Sequence, residues 1–515
     1  MPAQLTTRAQ VNGYRFLLRR LDHAMVRRDV RMLHDPMRSQ SRSLIIGGIL
    51  GMLGVAGCVI LSFIHPQGSV GKASIIVGKD SAALFVMVKD KSGNQTLHPA
   101  LNLASARLIS GTAETPTSVK DSKLSSYPRG PLLGIPGAPN ALPGTSQGDH
   151  SDWSLCESVT LTASGNVASA AAVTTTVIAG PPELGAQART ASQDEAVLVS
   201  HDDKTYLIYD GKRAEIDPTN TVMARTLNLV VHPARATGTG LLDVAVPVPP
   251  LAPPTIPDAG HPGPGKLSNV PVGGVISVAS ADGSGTSDLY VVLEKGVQRI
   301  GPFVAQLIRN ADSHGMSEIK SVPPDVLDGI TVLDTLPLEQ FPTQVPKIIG
   351  AEDDPVTCVR WNKSSGMATD QPESSNPTDR AWVSLVLGTK LPLGNSDHPV
   401  KLATSSGTGD HVDQVFVKPM TGEFVQTTGM DSGSLRRDSL FYITDDGIRY
   451  GIPDLATAEM LGLGKTPHLA PWAIVGQLVP GPTLSRTSAL VSYDSVPTGP
   501  SAATSDDSKT TTASH

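Results

Sequence analysis

Three stretches of this 515-residue chain carry residue types at spacings that could do chemistry. The first is Gly144-Thr145-Ser146-Gln147-Gly148, a GxSxG pattern followed directly by Asp149 and His150. A nucleophile elbow needs a strand before the serine and a helix after it, so that the hydroxyl stands exposed on a sharp turn. The preceding IPGAPNALP supplies neither, and His150 is too close along the chain to reach Ser146 in the usual geometry. The second stretch, Gly464-Lys465-Thr466, has the ending of a phosphate-binding loop. The first glycine of GxxxxGK[ST] would fall on Glu459, however, and Pro467 follows at once. The third, Gly260 to Lys266, has the GxxxxGK spacing but ends in Leu267, which offers no hydroxyl to Mg²⁺. Its prolines also remove N–H groups that would cradle a phosphate. Metal ligands are no better grouped: the 13 His are scattered, with no HExxH or CxxC. Asp202 with Asp203, and Asp445 with Asp446, are paired carboxylates at or near hairpin turns, where solvated turn residues are the simpler explanation. These stretches therefore assign no catalytic residue, metal ligand or cofactor.

The elements that must carry them are sorted by Leu44–Ile64, a run of 21 residues without a charged side chain. At about 1.5 Å per helical residue it spans the roughly 30 Å hydrocarbon core of a bilayer. Residues 1–43 hold nine Arg, no Lys and three Asp, a net of +6, which leaves about −13 for the remainder. Basic flanks stay on the cytoplasmic side, so residues 1–43 are expected there and the rest of the chain outside the cytoplasm. A cleaved signal peptide fits poorly, because the n-region would be 43 residues long and no clear A-x-A site follows the apolar run. The acidic head argues against nucleic acid as a ligand.

Of the three cysteines, Cys58 lies in the apolar run as a small filler, leaving Cys156 and Cys358 in the head. An oxidising compartment and an even count favour a bridge between them, the alternative being two unpaired buried thiols.

Ahead of the span, Val11, Tyr14, Leu18, Leu21 and Met25 recur at spacings of three and four, which places them on one helical face. Thr7 and Gln10 fit a capping box before that run, and Asp35-Pro36 is expected to end the helix. Such a helix can lie on anionic lipid or dock its apolar stripe on a partner, and the residues leave both open. Within the span, Gly48, Gly51, Gly54 and Gly57 recur every third residue, and Gly47 with Gly51 forms GxxxG. Although glycine is common in membrane helices, this regular run suggests a face that packs on another helix.

The head contains four stretches of one layout, near 84–109, 205–229, 289–310 and 440–463. Each opens on a β-branched or aromatic strand. A polar turn follows with Gly93, Gly211, Gly296 or Gly447, then a short second strand. Pro99, Pro218, Pro302 or Pro453 then stands before a helical pattern, where proline suits the first turn. Asp210-Gly211 and Asp446-Gly447 are hairpin signals. The prolines are 119, 84 and 151 residues apart, too irregular for a solenoid. The inserts after the first and third stretches hold Cys156 and Cys358, so a central region built from these two segments is expected. Residues 247–265, PVPPLAPPTIPDAGHPGPG, read as an extended polyproline connector, and 495–515 as a disordered tail. The fold class expected is α+β. It comprises an amphipathic helix in 1–43, one transmembrane helix over 44–64 and a head over 65–494, in which four strand–turn–strand–helix repeats surround a disulfide-tied, β-rich core.

The foot QVNGYRFLLRRLDHAMVRRDVRMLHDP, the basic SQSRS and the single span resemble the EccB family, core membrane components of the mycobacterial type VII (ESX) secretion system. GPLLGIPGAP (130–139), WSLC (153–156), TCVRWN (357–362) and the four repeated stretches are also similar to that family, so the likeness covers essentially the whole chain. It implies a cytoplasmic N-terminal helix, one inner-membrane helix and a large periplasmic region with a disulfide. It also implies self-association and assembly with EccC (the motor ATPase), EccD, EccE and the mycosin protease. The expected function is thus a structural subunit of an export machine. A nucleotide hydrolase and a wall-binding anchored module are the two alternatives, and the residues here give the first no complete binding motif.

Overall fold

The computed structural model describes residues 6–28, 30, 36–64, 70–89, 92–160, 172–279, 287–364 and 380–495. The expected disordered tail lies outside these residues apart from its first. The chain divides into two compact units, Met1–Gly71 and Lys72–His515.

In the first unit, α1 spans Arg8–Arg27 and α2 spans Pro36–Ile64. The Thr7 N–H donates to Gln10 Oε1 at 3.0 Å, half of a capping box, and Arg28 closes α1 in the left-handed region at φ 54°. The expected stop at Asp35-Pro36 is corrected here: α1 ends well before it, and Pro36 opens α2. A residue that cannot continue a helix suits its first position, where the missing N–H has no intrahelical partner. The apolar helix therefore starts eight residues earlier than Leu44. Its stretch Ser41–Ile60 is long and apolar enough to cross a membrane.

The second unit contains four small sheets and a larger one. In each small sheet, three consecutive strands pair antiparallel, a helix follows, and a short strand returns parallel to the first. The first set is Ile75–Gly78, Leu84–Lys89, Gln95–Pro99, helix Leu103–Ser110 and Thr117–Val119. The second is Glu195–His201, Lys204–Tyr209, Lys212–Ile216, helix Thr221–Thr226 and Arg235–Ala236. The third is Val275–Ala279, Ser287–Leu293, Gly296–Ile300, helix Pro302–Ala311 and Lys320–Val322. The fourth is Gly422–Thr428, Leu440–Thr444, Ile448–Ile452, helix Leu455–Leu461 and His468–Pro471. In the last three sets a further strand, Val246–Leu251, Thr331–Val332 or Val479–Pro480, runs parallel to the third strand. In the first set, isolated bridges to Arg129 and Leu133 take that place, and Leu132–Leu133 pairs with Ser492–Tyr493 near the chain end.

Local chemistry accounts for these joins. Asp210 and Gly211 both have positive φ, 46° and 70°, as a two-residue hairpin turn requires. Gly296, expected in a turn, is instead the first residue of a strand. A Cβ there would lie 2.1 Å from Thr331 O, so the parallel neighbour requires glycine. Of the four prolines expected at helix starts in the head, only Pro302 sits at a helix N-terminus. Pro99 ends an edge strand, and Pro218 and Pro453 precede the caps. The caps are Asn102, Asn220 and Asp454, whose side chains accept from Ser105, Val222 and Met223, and Thr457 N–H groups.

The expected connector 247–265 is also revised. Val246–Leu251 is an edge strand, and Gly260 and Gly263 N–H groups donate to Val272 and Val270 carbonyls at 2.9 Å. Proline is tolerated there because a sheet edge does not need every N–H.

The larger sheet has seven strands, in the order Val400–Lys401, Gln414–Val417, Ala172–Ala179, Ser151–Thr160, Val356–Lys363, Trp382–Gly388 and Ala188–Thr190. Its two central strands come from the segments that hold the head cysteines. Alternation along them puts Trp153, Leu155, Val359 and Trp361 into the main core and Cys156 and Cys358 on the opposite face. The small sheets share cores in pairs. First-set residues such as Ile75 and Leu108 pack with Phe424 and Tyr442 of the fourth, and Leu207 and Met223 of the second pack with Phe303 and Leu307 of the third. The pairing is nested, outer with outer and inner with inner. Asn310 Nδ2 donates to Thr226 Oγ1 at 2.9 Å across the inner pair, and Arg107 Nη1 donates to Leu461 O at 2.6 Å across the outer pair.

Candidate functional site

Every apolar residue assigned to the foot stripe lies on α1 and is exposed, with Val11 at 42%, Tyr14 at 65%, Leu18 at 45%, Leu21 at 57% and Met25 at 72%. The span glycines are equally open: a Cβ at Gly47, Gly48, Gly51, Gly54 or Gly57 would meet nothing within 4 Å. Cys58, on the same helix, is exposed and free.

Cys156 and Cys358 are disulfide-bonded, directly opposite one another in the central strand pair and fully buried. Three rungs away in the same register, Trp153 faces Trp361. The WSLC and TCVRWN runs are thus a single cross-strand pairing, which ties segments 202 residues apart. Arg360 Nε donates to Asp152 Oδ1 at 2.9 Å at the end of this pairing, and burial pushes the Asp152 carboxyl up while Arg360 draws it down.

Two buried charged groups beside the bridge were not assigned from sequence. Glu157 accepts from Thr237 Oγ1 at 2.6 Å, Gly238 N at 3.1 Å and Leu241 N at 3.2 Å, and burial still pushes its carboxyl up to about 7. Arg235 donates to the carbonyls of Asp354 and Ile349 and to Thr357 Oγ1, each at 2.8 Å. Its desolvation brings the guanidinium down to about 10. Both join the second small sheet and its return segment to the central one. A charge within a β run reads from sequence as solvent-facing, and the bonds that hold it inside come from residues about 80 or more positions away.

The structure brings Gly144–Gly148 and Gly464–Thr466 to one cleft of about 310 Å³, floored by Phe424 and Tyr442. Its wiring is that of a strap. Thr145 Oγ1 donates to Glu423 Oε2 at 2.6 Å, Tyr442 Oη to Pro143 O at 2.9 Å and His468 Nε2 to Gly148 O at 2.8 Å. Ser146 and His150 are both exposed, and no hydrogen bond joins them. Lys465 is exposed and lies 3.7 Å from Glu459, the residue standing where a phosphate loop has its first glycine. A helix precedes this segment, not a strand. Among the described residues, no group of three or more His, Cys, Asp or Glu could hold a metal ion.

A family model described as "Type VII secretion system ESX-1, transport TM domain B" matches residues 3–498. The chain is 38% identical over 511 residues to "ESX-3 secretion system ATPase EccB3" of Mycolicibacterium smegmatis, covering 96% of this chain and 92% of that one. It is 36% identical over 500 residues to "ESX-5 secretion system ATPase EccB5" of Mycobacterium tuberculosis, covering 96% and 94%. Among solved structures, it matches a chain of the intact ESX-5 inner membrane complex with a TM-score of 0.69 and 33% identity, over 98% of this chain and 99% of that one. It also matches a chain of an EccB3 dimer from the ESX-3 core complex with a TM-score of 0.66 and 33% identity, over 81% and 100%.

Proposed function

Since the chain belongs to the EccB family of type VII secretion membrane components, we propose that it is a structural subunit of an ESX-type secretion complex in the inner membrane. The observation that carries this reading is its likeness, over nearly its full length, to a chain of the intact ESX-5 inner membrane complex. Each part then has a task. The four small sheets are one repeat, arranged around a disulfide-tied core, and the head they form scaffolds and self-associates on the periplasmic side. The basic foot stays in the cytoplasm, where the uncovered stripe from Val11 to Met25 docks on a partner. The open glycine face of α2 packs on a partner helix. The partners are EccC, EccD, EccE and the mycosin protease.

The test is purification of the tagged chain from the membranes of its host in mild detergent. Recovery with the three Ecc partners in one high-mass species is expected, and recovery as a lone chain would overturn the reading. Reporter fusions to each terminus check orientation: an N-terminal fusion should report cytoplasm, and one placed in the head should report periplasm.

A further inference from the structure

Four tryptophans occur in the chain, and three have clear employment. Trp153 and Trp361 fill the main core. Trp472 stacks on Phe441 with ring centroids 5.7 Å apart, and the Arg449 guanidinium lies over both rings, 5.1 Å from Trp472 and 5.5 Å from Phe441. The fourth, Trp382, begins its strand 69% exposed, and among the described residues no ring or cation lies on its face. An indole left in water is costly, and tryptophan is among the residues that dominate binding surfaces.

Trp382 lines a cleft of about 360 Å³ with Asp210, Lys212, Val246, Asp431 and Ser432. Three separate elements build its walls: the hairpin turn of the second small sheet, the start of the Trp382–Gly388 strand and a loop of the fourth small sheet. Those walls are pinned. Gly211 sits so close to Val383 that a Cβ would fall 2.4 Å from its Cγ1, and Ala381 N–H donates to Ser432 O at 3.1 Å. The Asp210 and Asp431 carboxylates line this space, with no ion pair or side-chain hydrogen bond from among the described residues. Burial holds the Asp210 carboxyl above its ordinary value, with Lys212 as the opposing influence. Two carboxylates against one ammonium leave the cleft net negative beside a bare aromatic face.

We propose that this cleft receives the guanidinium of an arginine presented by another protein chain, held between the Trp382 indole and the Asp210 and Asp431 carboxylates. A planar cation can stack on the indole while its N–H groups fork to carboxylates, a combination open to arginine and not to lysine. The chain already matches guanidinium to aromatic face within itself. Besides Arg449, Arg129 lies 5.2 Å from the Phe85 ring and Arg213 5.7 Å from the Tyr206 ring.

The test uses the full chain in detergent micelles, labelled with 5-fluorotryptophan, the Trp382 fluorine line being assigned with Trp382→Phe. Titration with N-acetyl-arginine amide should shift that line saturably, with half-saturation at roughly millimolar concentration for a single side chain. The neutral isostere N-acetyl-citrulline amide should bind at least about tenfold more weakly, as should arginine amide to the Asp210→Asn, Asp431→Asn double variant. Asparagine tolerates the left-handed φ of 46° at position 210, so the turn is retained. Equal responses to arginine and citrulline overturn the proposal. So do the absence of any shift, and a shift of the same line by maltose, which would make the cleft a sugar platform.

Discussion

At the scale of single residues, the bridge and its buried neighbours set the stability of the head. Cys156–Cys358 closes a loop of about 200 residues, for which loop-closure entropy gives stabilisation on the order of 5 kcal/mol as an upper figure. Cys156→Ser or Cys358→Ser should therefore lower the denaturant midpoint markedly, and adding reductant should change the wild type but not the variants. Equal midpoints with and without the bridge would remove it from the stability account. Glu157 makes the head pH-sensitive in a definite direction. Its folded pKa, about 7, lies above the ordinary 4.5, so its contribution is fully present below about 4.5 and is lost as pH rises through about 7. The loss is on the order of 3 kcal/mol. Unfolding measured from pH 5 to pH 8 should show it, and Glu157→Gln should flatten the profile, whereas an unchanged slope assigns it to other groups. The cysteines could be read from parity and compartment. Glu157, Arg235 and Trp382 could not, because their surroundings come from elements distant in sequence and nothing local marks a charged strand residue as buried.

At the scale of elements, a Cβ at any of the α2 glycines meets nothing within 4 Å among the described residues. Gly51→Leu with Gly54→Leu should insert normally yet lose the high-mass complex on native gels, and an intact complex would dismiss the packing face. The hairpins at Asp210-Gly211 and Asp446-Gly447 could be read because turn chemistry is local. The strands that return after each helix, such as Arg235–Ala236 and Lys320–Val322, could not, since two or three residues carry no periodicity. Proline misled in a consistent way. Three of the four lie ahead of an Asn or Asp cap, and what they mark is the end of a strand more often than the start of a helix. The start of α2 was missed for a related reason: a proline reads equally as a helix stop or a first turn.

At the scale of the whole head, the first and fourth small sheets close one core and the second and third another. The end of the described chain belongs to the outer pair. Leu484 and Ala489 are fully buried there, and Ser492–Tyr493 pairs with Leu132–Leu133. Ending the chain at Pro482 should cost about 2–5 kcal/mol for the lost leucine alone. It should also open the first small sheet to limited proteolysis while the second and third stay protected, and uniform resistance would contradict the nested pairing. That nesting has a consequence in time. As the chain emerges from its N-terminus, the second and third sets can meet soon after both exist. The helix Leu103–Ser110 packs on Ile75 and Val86 of its own set, but its partner helix in the fourth set, Leu455–Leu461, appears only some 350 residues later. During synthesis the first set to emerge waits longest for the face it shares with another set to be covered, and contacts so distant in sequence form slowly. The earliest part of the head is thus the last to be finished, and the interval before closure is when this chain most needs a chaperone.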